Sequence, residues 1–173
     1  MSLGSPWLEV SQYFLNAMAR MDVAMTKDPT KKTDAEQKAR ALLLAHMSEE
    51  QRKTFVIQSK FLVTSADRGW AYIVTANVNW GINRVHKCGK SYITFAAMCA
   101  FPDMSHGMPV EDGVLQIKLM FEAKGGEGRL LRAANVSFSR PPSCDHAECL
   151  QEYRLFRETV DQAGTGSYYI IAA

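Results

Sequence analysis

The chain has 173 residues, of which 47% are hydrophobic and 22% are charged, and its net charge is +2. These totals are typical of a globular domain and exclude a collagen-like, low-complexity or strongly polyionic chain. No apolar run reaches the roughly 20 residues of a membrane helix, and the N-terminus lacks the basic and apolar segments of a secretory signal.

Residues 1–47 are predicted to form a helical N-terminal extension. Ser5 and Pro6 are typical of a helix start, and apolar side chains then recur at spacings of three and four. This stripe consists of Trp7, Val10, Phe14, Met18, Met21 and Met25, of which the first five are predicted interaction residues. Because methionine is common where a surface adapts to a partner, we expect this helix to dock onto protein. Thr33 and Glu36 form a capping box for a second helix.

Residues 48–136 are predicted to form the core of the domain. Ser48 and Gln51 make a capping box for a short helix. Four β-rich runs follow in two pairs, and each pair is separated by a turn. The runs lie at 61–64, 70–74, 81–86 and 91–100. This pattern predicts a four-stranded antiparallel meander, packed by a helix at 109–124 and a shorter one at 127–135.

Residues 143–173 are predicted to form a C-terminal helix followed by a strand at 168–171. Ser143 is expected to cap the helix, and one face of it carries apolar side chains. They are Cys149, Tyr153, Phe156 and Val160. The whole chain, 1–173, is therefore predicted to be a single α+β domain with helical extensions at both ends.

Cysteine and histidine residues occur close together at two places in the sequence. Cys144, His146 and Cys149 have the spacing Cys-x-His-x-x-Cys, and His86 and Cys88 precede a turn glycine. Thiolate and imidazole are the ligands that tetrahedral zinc prefers. Neither half is a standard Cys-x-x-Cys, however, and a thiol on an apolar stripe is usually a core residue. We therefore predict no metal and no cofactor, with these five residues as ligands in the alternative case.

No segment carries a catalytic signature. Cys99 and His106 are a candidate pair of nucleophile and base. Cys99 lies in the apolar run 95–101, where burial raises a thiol's pKa and makes it inert. The chain has no Gly-x-Ser-x-Gly motif and no paired acids in an apolar setting. We therefore predict a non-enzymatic protein.

Positive charge is concentrated in the first half of the chain. Residues 1–90 hold 13 Lys and Arg residues against 8 Asp and Glu residues, whereas residues 91–173 hold 7 against 10. The cations expected on one exposed face of the meander are Arg68, Arg84, Lys87 and Lys90. Cations interleaved with aromatic side chains are typical of single-stranded nucleic-acid sites, but strand alternation turns Trp70 and Tyr72 toward the core. We expect this face to meet an acidic protein surface or a second copy, with nucleic acid as the alternative partner.

Several short motifs lie between residues 48 and 136. They are Glu50-Gln51, Phe61-x-Val63, Tyr72, Asn83-Arg84-Val85, Cys99-x-x-Pro102, Pro109-Val110-x-Asp112, Lys118-Leu119, Glu122 and Leu130-Leu131-Arg132-Ala133-Ala134-Asn135. Together they resemble a family of small, largely uncharacterised proteins of tailed phages and bacterial genomes. Where that family commonly has Cys-x-His-Pro, this chain has Phe101 in place of the histidine, which weakens any metal or catalytic role there.

The resemblance implies a phage-encoded protein and brings no established activity. Combined with the absence of catalytic signals, it predicts a structural or interaction protein, part of a virion or another multi-subunit assembly. We expect a protein partner or a homo-oligomer, no membrane partner, and a location in the virion or in the bacterial host cytoplasm.

Overall fold

An antiparallel sheet forms the centre of the fold, which is α+β as predicted. The computed structural model describes residues 33–76, 81–100, 108–144 and 146–164. The chain divides into two units, 1–35 and 36–173. The fold described below is that of the second unit. The first described helix begins at Asp34, so its first two residues belong to the first unit.

In the described ranges, five strands lie side by side in chain order. They are β1 (Lys60–Thr64), β2 (Ala71–Thr75), β3 (Ile82–Cys88), β4 (Ser91–Cys99) and β5 (Asn135–Phe138). All neighbouring pairs are antiparallel, so the predicted meander is confirmed for its first four strands. The fifth strand corrects the prediction that a helix continues to residue 135. Val136 and Phe138 lie opposite Met98 and Ala96 of β4, and four residues are too few for a recognisable alternating pattern.

One face of the sheet carries most of its large apolar side chains. The strand registers place one residue of each strand side by side in a row across the sheet. Side chains at alternate positions of a strand share a face, and the members of this row all lie on the same face. This row is Phe61, Val74, Ile82, Met98 and Val136. Every member is at most 1% exposed. The row therefore extends the core across the full width of the sheet.

Five helices accompany the sheet in the described residues. They are α1 (Asp34–Ala45), α2 (Glu49–Gln58), α3 (Val110–Glu122), α4 (Gly126–Ala133) and α5 (Ala147–Ala163). The predicted capping box of α2 is confirmed, since the Ser48 hydroxyl accepts from the Gln51 N–H at 3.2 Å and the Gln51 side chain accepts from the Ser48 N–H at 3.1 Å. The predicted apolar stripe of α5 is also buried.

The start of α5 differs from the prediction. The N-cap residue is His146, not Ser143. The chain from Pro141 to Cys144 remains irregular, because two consecutive prolines disfavour helix.

Aromatic contacts fix the helices on the apolar face of the sheet. Phe121 of α3 stacks on Tyr72 of β2, with ring centroids 4.1 Å apart. Tyr153 of α5 meets Phe95 of β4 edge-on at 5.4 Å. Trp70, Tyr72 and Val74 are all buried, which confirms that their side chains face the core. The hydrophobic core thus lies between the sheet and the pair α3 and α5.

Two predicted elements lie outside the described residues. These are the first N-terminal helix, with Trp7, Val10, Phe14, Met18 and Met21, and the terminal strand at 168–171. Both remain predictions.

A buried carboxylate links α4 to the sheet. Glu127 is 0% exposed and accepts hydrogen bonds from the Tyr72 hydroxyl at 2.6 Å and from Arg68 Nη1 at 2.9 Å. Burial raises the pKa of Tyr72, and the charge and hydrogen bond of Glu127 raise it further. The phenol therefore stays protonated and acts as the donor.

We expect Glu127→Ala to lower the free energy of unfolding by about 1–3 kcal/mol, because it leaves a buried hydroxyl without an acceptor. The exposed Glu158 provides the control, and Glu158→Ala should change stability by less than about 0.5 kcal/mol. Urea unfolding monitored by circular dichroism measures both. Equal effects of the two substitutions would contradict a structural role for the Glu127 network.

Candidate metal centre

Three cysteines and one histidine meet beside the tip of the β3–β4 hairpin. Cys88 is the last residue of β3, Cys144 lies in the irregular segment before α5, and Cys149 lies in the first turn of α5. With His146, they offer four ligand atoms that all lie within 4.8 Å of one another. A tetrahedral zinc ion, with bonds of about 2.3 Å to sulfur and 2.0–2.1 Å to nitrogen, separates its ligand atoms by roughly 3.5–3.8 Å. Changes on the order of 1 Å in these separations would bring the four atoms to that geometry.

His146 has a conformation that suits a ligand. It occupies the N-cap position of α5, where a side chain usually accepts from the first turn, but it makes no capping hydrogen bond. Its Nδ1 lies instead 3.2 Å from the Cys88 sulfur. The imidazole is thus directed at the hairpin and away from its own helix.

The strand and the helix bring these groups together through their regular periods. Arg84, His86 and Cys88 alternate along β3, so they share the face that α5 covers. On α5, Cys149 and Glu152 are three residues apart and lie on the same side of the helix. Gly89 has φ +60°, which lets the chain reverse directly after Cys88.

The thiols of the cluster influence one another's protonation. Hydrogen bonds, from Cys149 first and then from His146 and Cys88, lower the pKa of Cys144 to about 7, although desolvation opposes them. Desolvation, together with Cys144 and Cys88, raises the pKa of Cys149 to about 12. The cluster thus favours ionisation of Cys144 and opposes that of Cys149, and a coordinated divalent cation would remove this difference because it deprotonates its thiol ligands.

His86, the fifth candidate ligand, lies outside the cluster. Its Nδ1 lies 2.8 Å from a Glu152 carboxylate oxygen, and its ring stacks on Phe95 with centroids 5.4 Å apart. It supports the site indirectly, because Glu152 is on the first turns of α5 and this contact holds that helix against β3.

Arg84 corrects the predicted basic face. It is 0% exposed and its side chain pairs with Glu152 and donates to the Val85 carbonyl. Four aromatic rings surround its guanidinium carbon at 5.0–5.6 Å. They belong to Trp70, Tyr72, Phe95 and Phe156. Arg84 is therefore a core residue and has no part in an exposed face.

The other three predicted cations lie at the surface. Arg68 is 41% exposed at its side chain and is engaged with Glu127. Lys87 and Lys90 are exposed beside Cys88 in the hairpin. The exposed positive charge near the hairpin is thus smaller than the sequence predicts.

Cys99 does not join the metal cluster. It is half-buried at the end of β4, and its proposed partner His106 lies outside the described residues. The sequence identified all four members of the cluster as alternative ligands, but it predicted that no metal is bound. The missing signal was the approach of the hairpin to α5, since 58 residues separate Cys88 from His146.

Comparison with protein-family models, curated proteins and solved structures finds no significant match. The resemblance to a phage and bacterial family therefore stays a prediction. Among the helices of the described residues, none is long and apolar enough to cross a membrane.

We expect Cys88→Ser to weaken Co²⁺ binding at least 10- to 100-fold, the loss that follows even from removing an outer partner of a ligand. The matched control is Cys99→Ser, since both residues are half-buried at a strand end. Titration of the chain with Co²⁺, followed by its thiolate charge-transfer absorption, measures both. Unchanged binding in the Cys88 variant would exclude that thiol as a ligand.

Proposed function

We propose that this protein is a non-enzymatic structural domain in which one Zn²⁺ ion joins the C-terminal helix α5 to the β3–β4 hairpin. The observation that carries the proposal is the convergence of three thiols and one imidazole within 4.8 Å. Strand β3 and helix α5, which supply Cys88 and Cys149, are also joined by the separate Arg84–Glu152 ion pair. This proposal replaces the expectation from sequence that no metal is bound.

The ligand set selects the metal and its role. Three sulfur atoms and one imidazole nitrogen suit Zn²⁺ and do not suit Mg²⁺ or Ca²⁺, which prefer oxygen. Four protein ligands complete a tetrahedral shell, whereas catalytic zinc keeps one position for water or substrate. The chemistry of this donor set therefore supports a structural ion.

The ion would act where α5 needs an attachment. The helix follows an irregular proline-containing segment, and its Tyr153 and Phe156 cover aromatic residues of the sheet. The Arg84–Glu152 pair holds the second turn of the helix, and zinc would hold the first. Together they stabilise the layer that completes the core.

We propose further that the domain works through protein contacts, as part of a phage-encoded virion or another multi-subunit assembly in the bacterial host. Support for a partner comes from α2, where the adjacent Val56 and Ile57 are 56% and 79% exposed. Exposed apolar neighbours are a common feature of interaction surfaces. The phage assignment is supported by the sequence resemblance.

Zinc content tests the first proposal. We expect native mass spectrometry of the full chain to find one Zn²⁺ per chain, and a chelator to lower the melting temperature by roughly 10 °C. The reason is that metal at 1,000 times its Kd adds about 4 kcal/mol, and 1 kcal/mol shifts a domain of this size by about 2–4 °C. Zn²⁺ should restore the melting temperature and Mg²⁺ should not. A metal-free chain that is indifferent to chelator would refute the structural role.

The assembly proposal has its own test. We expect the full chain to have a solution mass above that of one copy, and Ile57→Glu to reduce it, because a charge at a buried contact is costly. Gln151→Glu, at an exposed position of α5, tests whether added charge alone has this effect. Light scattering after size-exclusion chromatography measures the mass. A monomeric wild type would leave α2 without a self-association role.

A further inference from the structure

Solvent exposure differs among the four ligands. His146 is exposed, Cys88 and Cys144 are half-buried, and Cys149 is 2% exposed. Cys88 and Cys144 are therefore the two cysteines of the cluster that a small oxidant in solution would meet first. The third sulfur is protected by the core.

The two accessible thiols are also the two that have room to approach each other. Cys88 ends a strand beside a turn, and Cys144 lies in a segment with neither helix nor strand. Their sulfur atoms start within 4.8 Å, and a disulfide requires about 2.05 Å. Side-chain rotation and a small shift of the Cys144 segment would have to supply the difference. Cys149 is held in place by α5.

We infer that the centre is a redox-convertible clasp, in which a peroxide oxidises Cys88 and Cys144 to a disulfide and the zinc ion leaves. This inference rests on the proposed zinc site. The oxidant is a hydroperoxide. The product is a metal-free chain in which a disulfide joins the β3–β4 hairpin to the segment before α5.

The reaction takes two steps and consumes one peroxide. One thiolate attacks a peroxide oxygen, which breaks the O–O bond, forms a sulfenic acid and releases hydroxide. The second thiolate then attacks the sulfenic sulfur, forms the S–S bond and displaces a second hydroxide. The two sulfur atoms together lose two electrons, which reduce hydrogen peroxide to water once the hydroxides are protonated.

Zinc release follows from the change in ligands. A disulfide sulfur is a poor ligand, because zinc requires thiolates, so His146 and Cys149 alone remain. Two protein ligands do not complete the shell of a structural site. The disulfide nevertheless joins the hairpin to the segment before α5, so the helix remains attached. Metal content changes while the fold is retained.

The experiment uses the zinc-loaded full chain and hydrogen peroxide. We expect release of one Zn²⁺ per chain, measured with a chromogenic chelator, and loss of two thiols. Peptide mapping should show a link between Cys88 and Cys144, with Cys99 and Cys149 remaining free. The oxidised, zinc-free protein should melt within a few degrees of the zinc-loaded one and well above the chelator-stripped, reduced one. A thiol reductant with Zn²⁺ should break the disulfide, restore the two thiols and return one Zn²⁺ to each chain.

Different results would refute the zinc site and its conversion by peroxide. A full chain that never binds zinc refutes the proposed site before any oxidant is added. Zinc that binds but is retained after peroxide overturns the clasp alone. A mapped disulfide that includes Cys149, or an oxidised protein no more stable than the stripped one, also overturns it. The Cys99→Ser variant should release zinc at the wild-type rate. Slower release would show that Cys99 takes part in the oxidation and would overturn the assignment to Cys88 and Cys144.

Discussion

Strand β3 presents three polar side chains, Arg84, His86 and Cys88, to the face of the sheet that α5 covers. Burying an unpaired guanidinium costs several kcal/mol, and the cost is offset only by a well-placed partner. Glu152 of α5 is that partner for Arg84 and also contacts His86. The position of α5 is therefore set by this requirement, and the approach of Cys149 and His146 to Cys88 is its geometric consequence.

The charge distribution along the chain has a related explanation. Within the described part of the chain, three arginine–carboxylate ion pairs join a cation from residues 1–90 to an acid from residues 91–173. They are Arg40–Glu111, Arg68–Glu127 and Arg84–Glu152. The sequence suggested that the basic half meets an acidic protein surface or a neighbouring copy. Much of that complementarity is instead satisfied within the same chain, which reduces the charge left for an external partner.

Local patterns predicted the elements well, and tertiary pairing accounts for what they missed. Capping residues and apolar periods gave α2, α3 and the apolar stripe of α5, because these signals lie within one element. Strand alternation correctly turned Tyr72 to the core. Arg84 lies directly opposite Tyr72 in the neighbouring strand, so the same rule buries it once the register is known. That register is not visible in either strand alone. The sequence also identified the cysteines and the histidine of the cluster, but not which of the five candidates meet, because packing brings the hairpin and the start of α5 together.

The distribution of ligands along the chain also orders events during synthesis. Cys88 emerges from the ribosome 58 residues before His146, and a single thiolate does not hold a zinc ion. The hairpin can form early, from residues close in sequence, but the proposed zinc ion could be captured only after the start of α5 has been made and has reached the sheet. Metal occupancy would therefore mark the chains in which α5 has been translated and packed on the sheet. It would distinguish them from chains in which α5 is unfinished or not yet packed.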